Sequence, residues 1–326
     1  MHAEELKKKW DYLRSQKLAG NIISIRISAE CIPELNLGLN RDGNRCLILF
    51  PPVGMKHEFV SQKKENLSIY FHNQEKCIIL ELTDNHYDEL FDDLILSLYS
   101  KIYKISDMEK SARLFLSNIS RWSSFLASSS ERLSEEAVKG IIGELSVLNQ
   151  FIDESPSSGI DDVLSSWKGL YDATTDFEFD GKNVEVKTKN LDSTVVKISS
   201  EYQLSKVSGK ELHLAVVSVI KAHNQGISLK DMVSNTRAKI EDAGGNSSTL
   251  FDALAQKGLF SNNLKDYDRY RFSLKNHTFY DCEKILDNGE RFPRITVADI
   301  GEQVSKVSYR INLSELDGFL ISKKEV

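Results

Sequence analysis

The pattern of hydrophobic and polar positions divides the first third of the chain into two parts. Residues 1–18 place leucines and a tryptophan at helical spacing. Apolar runs typical of strands follow between residues 20 and 82, with turn residues between them, at 22–27, 45–50, 67–71 and 77–82. Residues 84–127 return to helical spacing. The pattern therefore predicts an N-terminal antiparallel β-rich module over residues 1–83, followed by a helical linker.

The order of elements between residues 134 and 220 is more informative. A helix is predicted over 134–151, with Ser134 as its N-cap. After a polar, loop-like stretch, the pattern predicts a hairpin at 174–188, a strand at 195–198, a helix near 200–205 and a strand at 212–220. This alternation indicates a mixed α/β core of about 134–220 within a segment 84–225.

The remaining residues, 226–326, are predicted to form a C-terminal α+β extension. Two helical stretches come first and three short strand-like stretches follow, at 229–243 and 248–258, then at 270–274, 295–297 and 307–311.

The hairpin carries the strongest local signal. An Asp-Gly pair at 180–181 between two alternating runs predicts a two-residue type I′ turn. That turn pairs Phe179 with Lys182, and three register steps further from the turn it places Asp176 opposite Glu185 on one face. The other face carries only phenylalanine and valine, which makes it the natural core face.

Two facing carboxylates repel each other unless a cation lies between them or solvent screens them. Magnesium prefers one or two carboxylates with waters and phosphates, so Asp176 and Glu185 suit it, and the backbone carbonyl of Val186 offers a further ligand. Lys187, on the same face, can orient an attacking water and offset charge on a phosphate. The alternative is an ordinary solvated face of an edge hairpin.

Glu144 lies at the edge of the apolar arc of the 134–151 helix. Gly140 and Gly143 flank it, although glycine inside a helix costs about 1 kcal/mol relative to alanine. The two glycines indicate that a sheet edge or a bound phosphate backbone packs closely there. The alternative is a boundary glutamate that extends to water.

Four blocks occur in order between residues 140 and 204: G-I-I-G-E-L-x-x-L, W-K-G, D-F-E-F-x-G-K-x-V-E-V-K-T and I-S-S-E-x-Q-L. Together they resemble the PD-(D/E)XK motif family, bacterial proteins of the restriction-endonuclease-like superfamily. The resemblance implies an αβββαβ core with Asp176, Glu185 and Lys187 at the signature positions. It matches Glu144 to an acidic residue on the first core helix, whereas Thr175 replaces the proline that often precedes the aspartate.

The resemblance further implies that Gln203, on the helix after the third strand, helps to hold substrate or water; the alternative is a surface glutamine. It also implies a bacterial restriction-like or antiphage system with ATPase and methyltransferase partners. The chain itself contains no phosphate-binding loop of the G-x-x-x-x-G-K-[ST] type.

Composition limits the other classes of function. The net charge of −6 does not favour a nucleic-acid binder, although an acidic enzyme can concentrate positive charge in one cleft. Four cysteines lack metal-ligand spacing and are expected to be buried or free thiols. No apolar run reaches the length of a membrane span, and the N-terminus does not resemble a signal peptide, so we expect a cytoplasmic protein without membrane contact.

These observations predict a DNA endonuclease that depends on Mg²⁺, with Mn²⁺ as a substitute. Asp176, Glu185 and Glu144 would form the metal shell, and Lys187 would assist the attacking water. DNA and a homodimer partner, or other subunits of a defence operon, are the expected partners. The alternative function is a non-catalytic adaptor or DNA-binding subunit of a defence complex that retains the nuclease fold.

Overall fold

The computed structural model describes residues 3–17, 20–51, 61–63, 66–127, 132–171, 173–222, 225–301, 303–304 and 307–326. Residues 1, 2 and 18 of the expected N-terminal helix lie outside these ranges. The chain forms two compact units, one of residues 1–131 with 254–262 and the other of residues 132–253 with 263–326.

Apart from the fifth, which the sequence pattern did not predict, the helices of the described residues begin and end close to the predicted positions. In chain order they are α1 (Ala3–Ser15), α2 (Asp88–Ile102), α3 (Met108–Ala127), α4 (Glu135–Asp153), α5 (Ile160–Ser166), α6 (Leu229–Asp242) and α7 (Ser248–Gln256). Within the described part of the chain, no helix is long and apolar enough to cross a membrane.

The strands of the described ranges fall into three sheets. In chain order they are β1 (Ile22–Arg26), β2 (Leu35–Asn40), β3 (Arg45–Leu49), β4 (Gln62–Lys63), β5 (Leu67–His72), β6 (Cys77–Leu82), β7 (Phe177–Glu178), β8 (Lys182–Asn190), β9 (Val195–Ile198), β10 (Glu211–Ala222), β11 (Arg271–Asp281), β12 (Tyr309–Asn312) and β13 (Leu320–Glu325).

The first unit contains an antiparallel sheet of order β1-β2-β3-β6-β5-β4. One face of this sheet packs in the same apolar cluster as α1, α2 and α3, through residues such as Trp10, Leu37 and Leu94. The helices at 84–127 therefore complete the core of the β-rich unit, whereas the sequence pattern groups them with the 134–220 core.

The second unit is built on a mixed sheet of order β13-β11-β10-β8-β7. Strand β8 runs parallel to β10 and antiparallel to β7, and the C-terminal strands β11 and β13 extend the same sheet. The third strand of the expected core, β9, pairs instead with β12 in a separate two-stranded sheet. Residues 226–253 and 263–326 are therefore part of the core unit and not only an extension of it.

Helix α4 begins where the sequence predicts, because the Ser134 hydroxyl accepts a hydrogen bond from the Ala137 N–H at 3.2 Å. Its apolar arc is buried on the face of the sheet that carries the hairpin phenylalanines. Phe151 makes edge-to-face contacts with Phe177 and Phe179, with ring centroids 5.2 and 5.3 Å apart. This packing fixes α4 beside β8.

Several predicted elements differ from the structure. The stretch 153–166 contains the short helix α5, and residues 295–297 form no strand. Residues 200–205 form turns and not a helix. There, the Gln203 side-chain oxygen accepts from the Ser199 N–H at 2.8 Å, and the Ser205 hydroxyl donates to the Glu201 carbonyl. Such local side-chain bonds compete with regular helix formation.

Candidate active site

The two residue pairs of the β7–β8 ladder agree with the predicted register, but the predicted pair of Asp176 with Glu185 is not part of the ladder, and the turn type differs. Phe177 pairs with Val184, and the Phe179 N–H donates to the Lys182 carbonyl at 2.9 Å. A type I′ turn needs positive φ at both central residues, and neither Asp180 nor Gly181 has it. The loop is bound from outside: Lys210 Nζ donates to the Phe179 carbonyl, and the Gly181 carbonyl accepts from Glu211 N–H. The type I′ prediction is therefore wrong.

Asp176 lies where the β7–β8 ladder ends. Its backbone carbonyl accepts from the Lys168 and Gly169 N–H groups at 2.7 and 3.1 Å, so it no longer faces β8. The Asp176 side chain faces β8 instead, and its Oδ2 accepts a hydrogen bond from the Val186 N–H at 2.6 Å. The ladder register places the Val186 carbonyl on this same edge of β8, away from β10.

Glu185 and Lys187 form a buried ion pair. Lys187 Nζ lies 2.5 Å from Glu185 Oε1, and the two side chains are 17% and 1% exposed. Glu185 and Lys187 pair with Leu214 and Val216 of β10, which belong to a second apolar cluster. Both faces of β8 are thus covered, and the solvated-face alternative does not describe this hairpin.

Glu144 joins the cluster from α4. Its Oε2 accepts from the indole Nε1 of Trp167 at 3.1 Å, so its carboxylate is held by the protein and does not simply extend to water. Gly169 lies against two of the carboxylates. A methyl group at that position would overlap Glu144 Oε2 and would lie 2.6 Å from Asp176 Oδ1. Glu144 and Asp176 are partly exposed, which leaves the cluster open on this side.

The two glycines of α4 have different surroundings. A methyl group on Gly143 would overlap the Thr188 side chain of β8, as expected where a helix packs closely on a sheet. A methyl group on Gly140 would meet no atom within 4 Å among the described residues. Only Gly143 is explained by close packing.

The electrostatics of the cluster favour the uptake of a positive charge. Burial, together with the charge of Asp176, raises the pKa of Glu144 well above its ordinary value and that of Glu185 to about 8. Burial also raises the pKa of Asp176, against the attraction of Lys187. Burial opposes the charge of Lys187, but the carboxylates outweigh it and raise the pKa of Lys187.

The residues fit a divalent cation in their chemistry. Three buried or half-buried carboxylates face a single lysine, and hard oxygen ligands are those that Mg²⁺ and Mn²⁺ prefer. The bare Cα of Gly169 leaves space beside two of them. In the described residues, no three carboxylate, histidine or cysteine side chains already surround a metal position. The carboxylate oxygens of the cluster instead accept hydrogen bonds from Trp167, Val186 and Lys187.

Gln203 is not joined to this cluster in the structure. Its carboxamide bonds its own turn at Ser199, and the helix on which the sequence places it is absent. Trp167 and Gly169, in contrast, contact the cluster directly. Both belong to the W-K-G block that the sequence places just before the hairpin.

A buried histidine outside the cluster has hydrogen-bond partners on both of its ring nitrogens. His277 of β11 lies 2.7 Å from the Ser146 hydroxyl through Nε2 and 2.6 Å from Gln150 Oε1 through Nδ1. His213 of β10 is half-buried, and its Nε2 lies 3.2 Å from Glu211 Oε2. All four cysteines are free and buried, as expected.

The fold and this arrangement of one strand pair, one helix and an E-x-K sequence are those of a PD-(D/E)XK protein. The chain belongs to the family DUF4420, described as "Putative PD-(D/E)XK family member", whose model matches residues 6–314. This membership confirms the resemblance and the mixed α+β, nuclease-like fold. No curated protein and no solved structure matches the chain.

Proposed function

We propose that this protein is a metal-dependent deoxyribonuclease that hydrolyses phosphodiester bonds. The observation that carries the proposal is the cluster of Glu144, Asp176, Glu185 and Lys187 at the end of the β7–β8 ladder. Family membership supports a nuclease-like fold, and the excess of carboxylates over lysine supports a cation-dependent site.

In this proposal Asp176, Glu185 and Glu144, with the carbonyl of Val186, hold Mg²⁺, for which Mn²⁺ can substitute. When bound, the cation lowers the pKa of a water molecule and stabilises charge on the phosphate. Lys187 is held at 2.5 Å from Glu185, so its ammonium group has a fixed position from which to orient the attacking water. Superfamily chemistry would leave 5′-phosphate and 3′-hydroxyl ends.

We also propose that the enzyme works with partners in a restriction-like or antiphage system. The net charge of −6 supports this, because an acidic protein gains from a partner that brings DNA to it. A homodimer and operon subunits such as an ATPase or a methyltransferase are the proposed assemblies. The alternative is a non-catalytic adaptor with the same fold. The cleavage experiment below distinguishes the adaptor from the nuclease.

The test is cleavage of supercoiled and linear DNA, and of RNA, with Mg²⁺, Mn²⁺ or EDTA. Wild-type protein is compared with D176N and K187M, and with D180N, which changes an exposed aspartate at the tip of the same hairpin. We expect D176N and K187M to lose on the order of 10²-fold or more in rate and D180N to keep it. Circular dichroism confirms that each variant is folded.

Equal cleavage by wild-type and D176N protein would assign the activity to a contaminant and contradict the proposal. Absence of cleavage by the wild-type protein, even with its operon partners present, would leave the adaptor as the better description. Cleavage of RNA but not DNA would keep the site and change the substrate.

A further inference from the structure

A segment of three residues that precedes the hairpin also contacts the cluster, although none of the three is a signature residue. These are Trp167, Lys168 and Gly169, here called the WKG segment. Trp167 pairs with Phe177 of β7 through an isolated antiparallel bridge, so the segment continues the sheet edge. The segment therefore has a fixed place beside Asp176, set by backbone hydrogen bonds.

This segment connects the two carboxylates that come from different elements. The N–H groups of Lys168 and Gly169 bind the carbonyl of Asp176, and the indole of Trp167 binds Glu144 at 3.1 Å. The Trp167 side chain is only 2% exposed, so its ring cannot move away without breaking core packing. The rigid indole N–H of Trp167 thus holds the Glu144 carboxylate of α4 close to Asp176.

Groups that hydrogen-bond a metal ligand fix its orientation, and their loss typically weakens metal affinity by about 10–100-fold. We propose that Trp167 is a positioning residue of this site: its indole N–H orients Glu144 for binding of the divalent cation. The inference rests on the proposed function, because it requires that Glu144 contribute to the metal shell.

The test measures Mn²⁺ binding directly, by isothermal titration calorimetry, and so does not depend on catalysis. Trp167→Phe removes the N–H and keeps an aromatic ring. Trp10→Phe is a matched control, since Trp10 donates to Asp92 at 2.7 Å in the other unit. Glu144→Gln and the double variant W167F/E144Q complete a double-mutant cycle. A second Trp167 variant carries β-(3-benzothienyl)alanine, in which sulfur replaces the N–H and the ring size is kept.

We expect W167F and the benzothienyl variant to weaken Mn²⁺ binding about 10-fold, and W10F to leave it unchanged. In the E144Q background, W167F should have little further effect, because the indole acts through Glu144. Binding by the benzothienyl variant within twofold of wild type would overturn the inference and leave the metal site intact. An equal loss in both backgrounds would also overturn it, since Trp167 would then act by packing alone. Wild-type protein that binds no Mn²⁺ would contradict the proposed function itself.

Discussion

Gly143 of α4 lies directly against Thr188 of β8, with no room for a side chain between them. A methyl group on Gly143 would overlap the Thr188 hydroxyl and would lie 3.0 Å from the Thr188 Cβ. The helix that carries Glu144 therefore reaches the strand that carries Glu185 through a glycine. This contact sets the distance between the two elements of the site.

We expect Gly143→Ala to destabilise the protein by about 1–3 kcal/mol, because overpacking moves α4 or β8. The effect opposes helix propensity, which favours alanine over glycine by about 1 kcal/mol. Gly140→Ala is the matched control: the space there is open, so propensity alone should stabilise the protein by up to about 1 kcal/mol. Urea unfolding of both variants checks the signs, and a stabilised G143A would contradict the packing argument.

The histidine on β11 predicts a dependence of stability on pH. Burial lowers the pKa of His277 from 6.5 to about 4, while its ring lies between Ser146 and Gln150. The unfolded chain then binds more protons than the folded protein between these two values. Stability should consequently fall as the pH drops from about 6.5 to 4, by roughly 3 kcal/mol at most.

His277→Gln should remove this part of the pH dependence, whatever its effect at neutral pH. The measurement is the free energy of unfolding at intervals between pH 4 and 7, with H72Q as a control on a strand of the other unit. If the wild-type and H277Q profiles had equal slopes over this range, His277 would take up its proton as readily in the folded protein as in the unfolded chain. That result would contradict a lowered pKa of His277.

The buried ion pair predicts non-additive effects of substitution. Lys187→Met leaves Glu185 buried at 1% exposure without its cation and raises the pKa of Glu185 further above about 8. Near pH 5 Glu185 is protonated with or without Lys187, so the loss of stability should be small there. The loss should grow as the pH rises past 8, where the wild-type carboxylate is charged, toward about 3–5 kcal/mol.

The double variant E185Q/K187M should recover most of this stability while it stays inactive, because the side chain at position 185 then carries no charge that needs a buried cation. Chemical unfolding of the two single variants and the double variant gives the coupling energy. Strictly additive losses would mean that Glu185 and Lys187 do not act as a pair in the folded protein.

The residues of the cluster were predictable because each belongs to a strong periodic pattern. The alternation in the hairpin predicted the pairing of Phe177 with Val184, which leaves Asp176 and Glu185 one step beyond that pair, and the apolar arc of α4 placed Glu144 at its edge. The turn type was not predictable, since Lys210 and Glu211 bind the loop from a distant part of the chain. Local propensity has no information about such contacts.

The parts of the fold that were missed depend on partners far along the chain. Strand β13 is exposed along its whole length and polar in its second half, and it forms where β11 offers a free edge. The role of Trp167 depends on Glu144, 23 residues earlier, so no spacing rule indicates it. Conversely, the helix expected at 200–205 gives way to side-chain hydrogen bonds within six residues.

Substitution of Gly169 should disturb the geometry of the site more than the stability of the fold. A methyl group there would overlap Glu144 Oε2 and press on Asp176 Oδ1 at 2.6 Å. Both atoms are ends of side chains that can rotate, but rotation weakens their hydrogen bonds to Trp167 and Val186, so we expect Gly169→Ala to lower the free energy of unfolding by only about 1–2 kcal/mol. The rotation would nevertheless displace two metal ligands, and misplaced groups cost on the order of 10²-fold in rate.

Gly181→Ala is the control, since it adds the same methyl group to the hairpin tip, where the structure leaves open space. The measurements are the rate of DNA cleavage at saturating Mn²⁺ and the midpoint of urea unfolding. G169A should lose most of its activity while it stays folded with only a slightly lower unfolding midpoint, and G181A should retain its activity. If G169A cleaved DNA at the wild-type rate, Glu144 and Asp176 would not need their observed proximity, and the assignment of both to one metal site would fail.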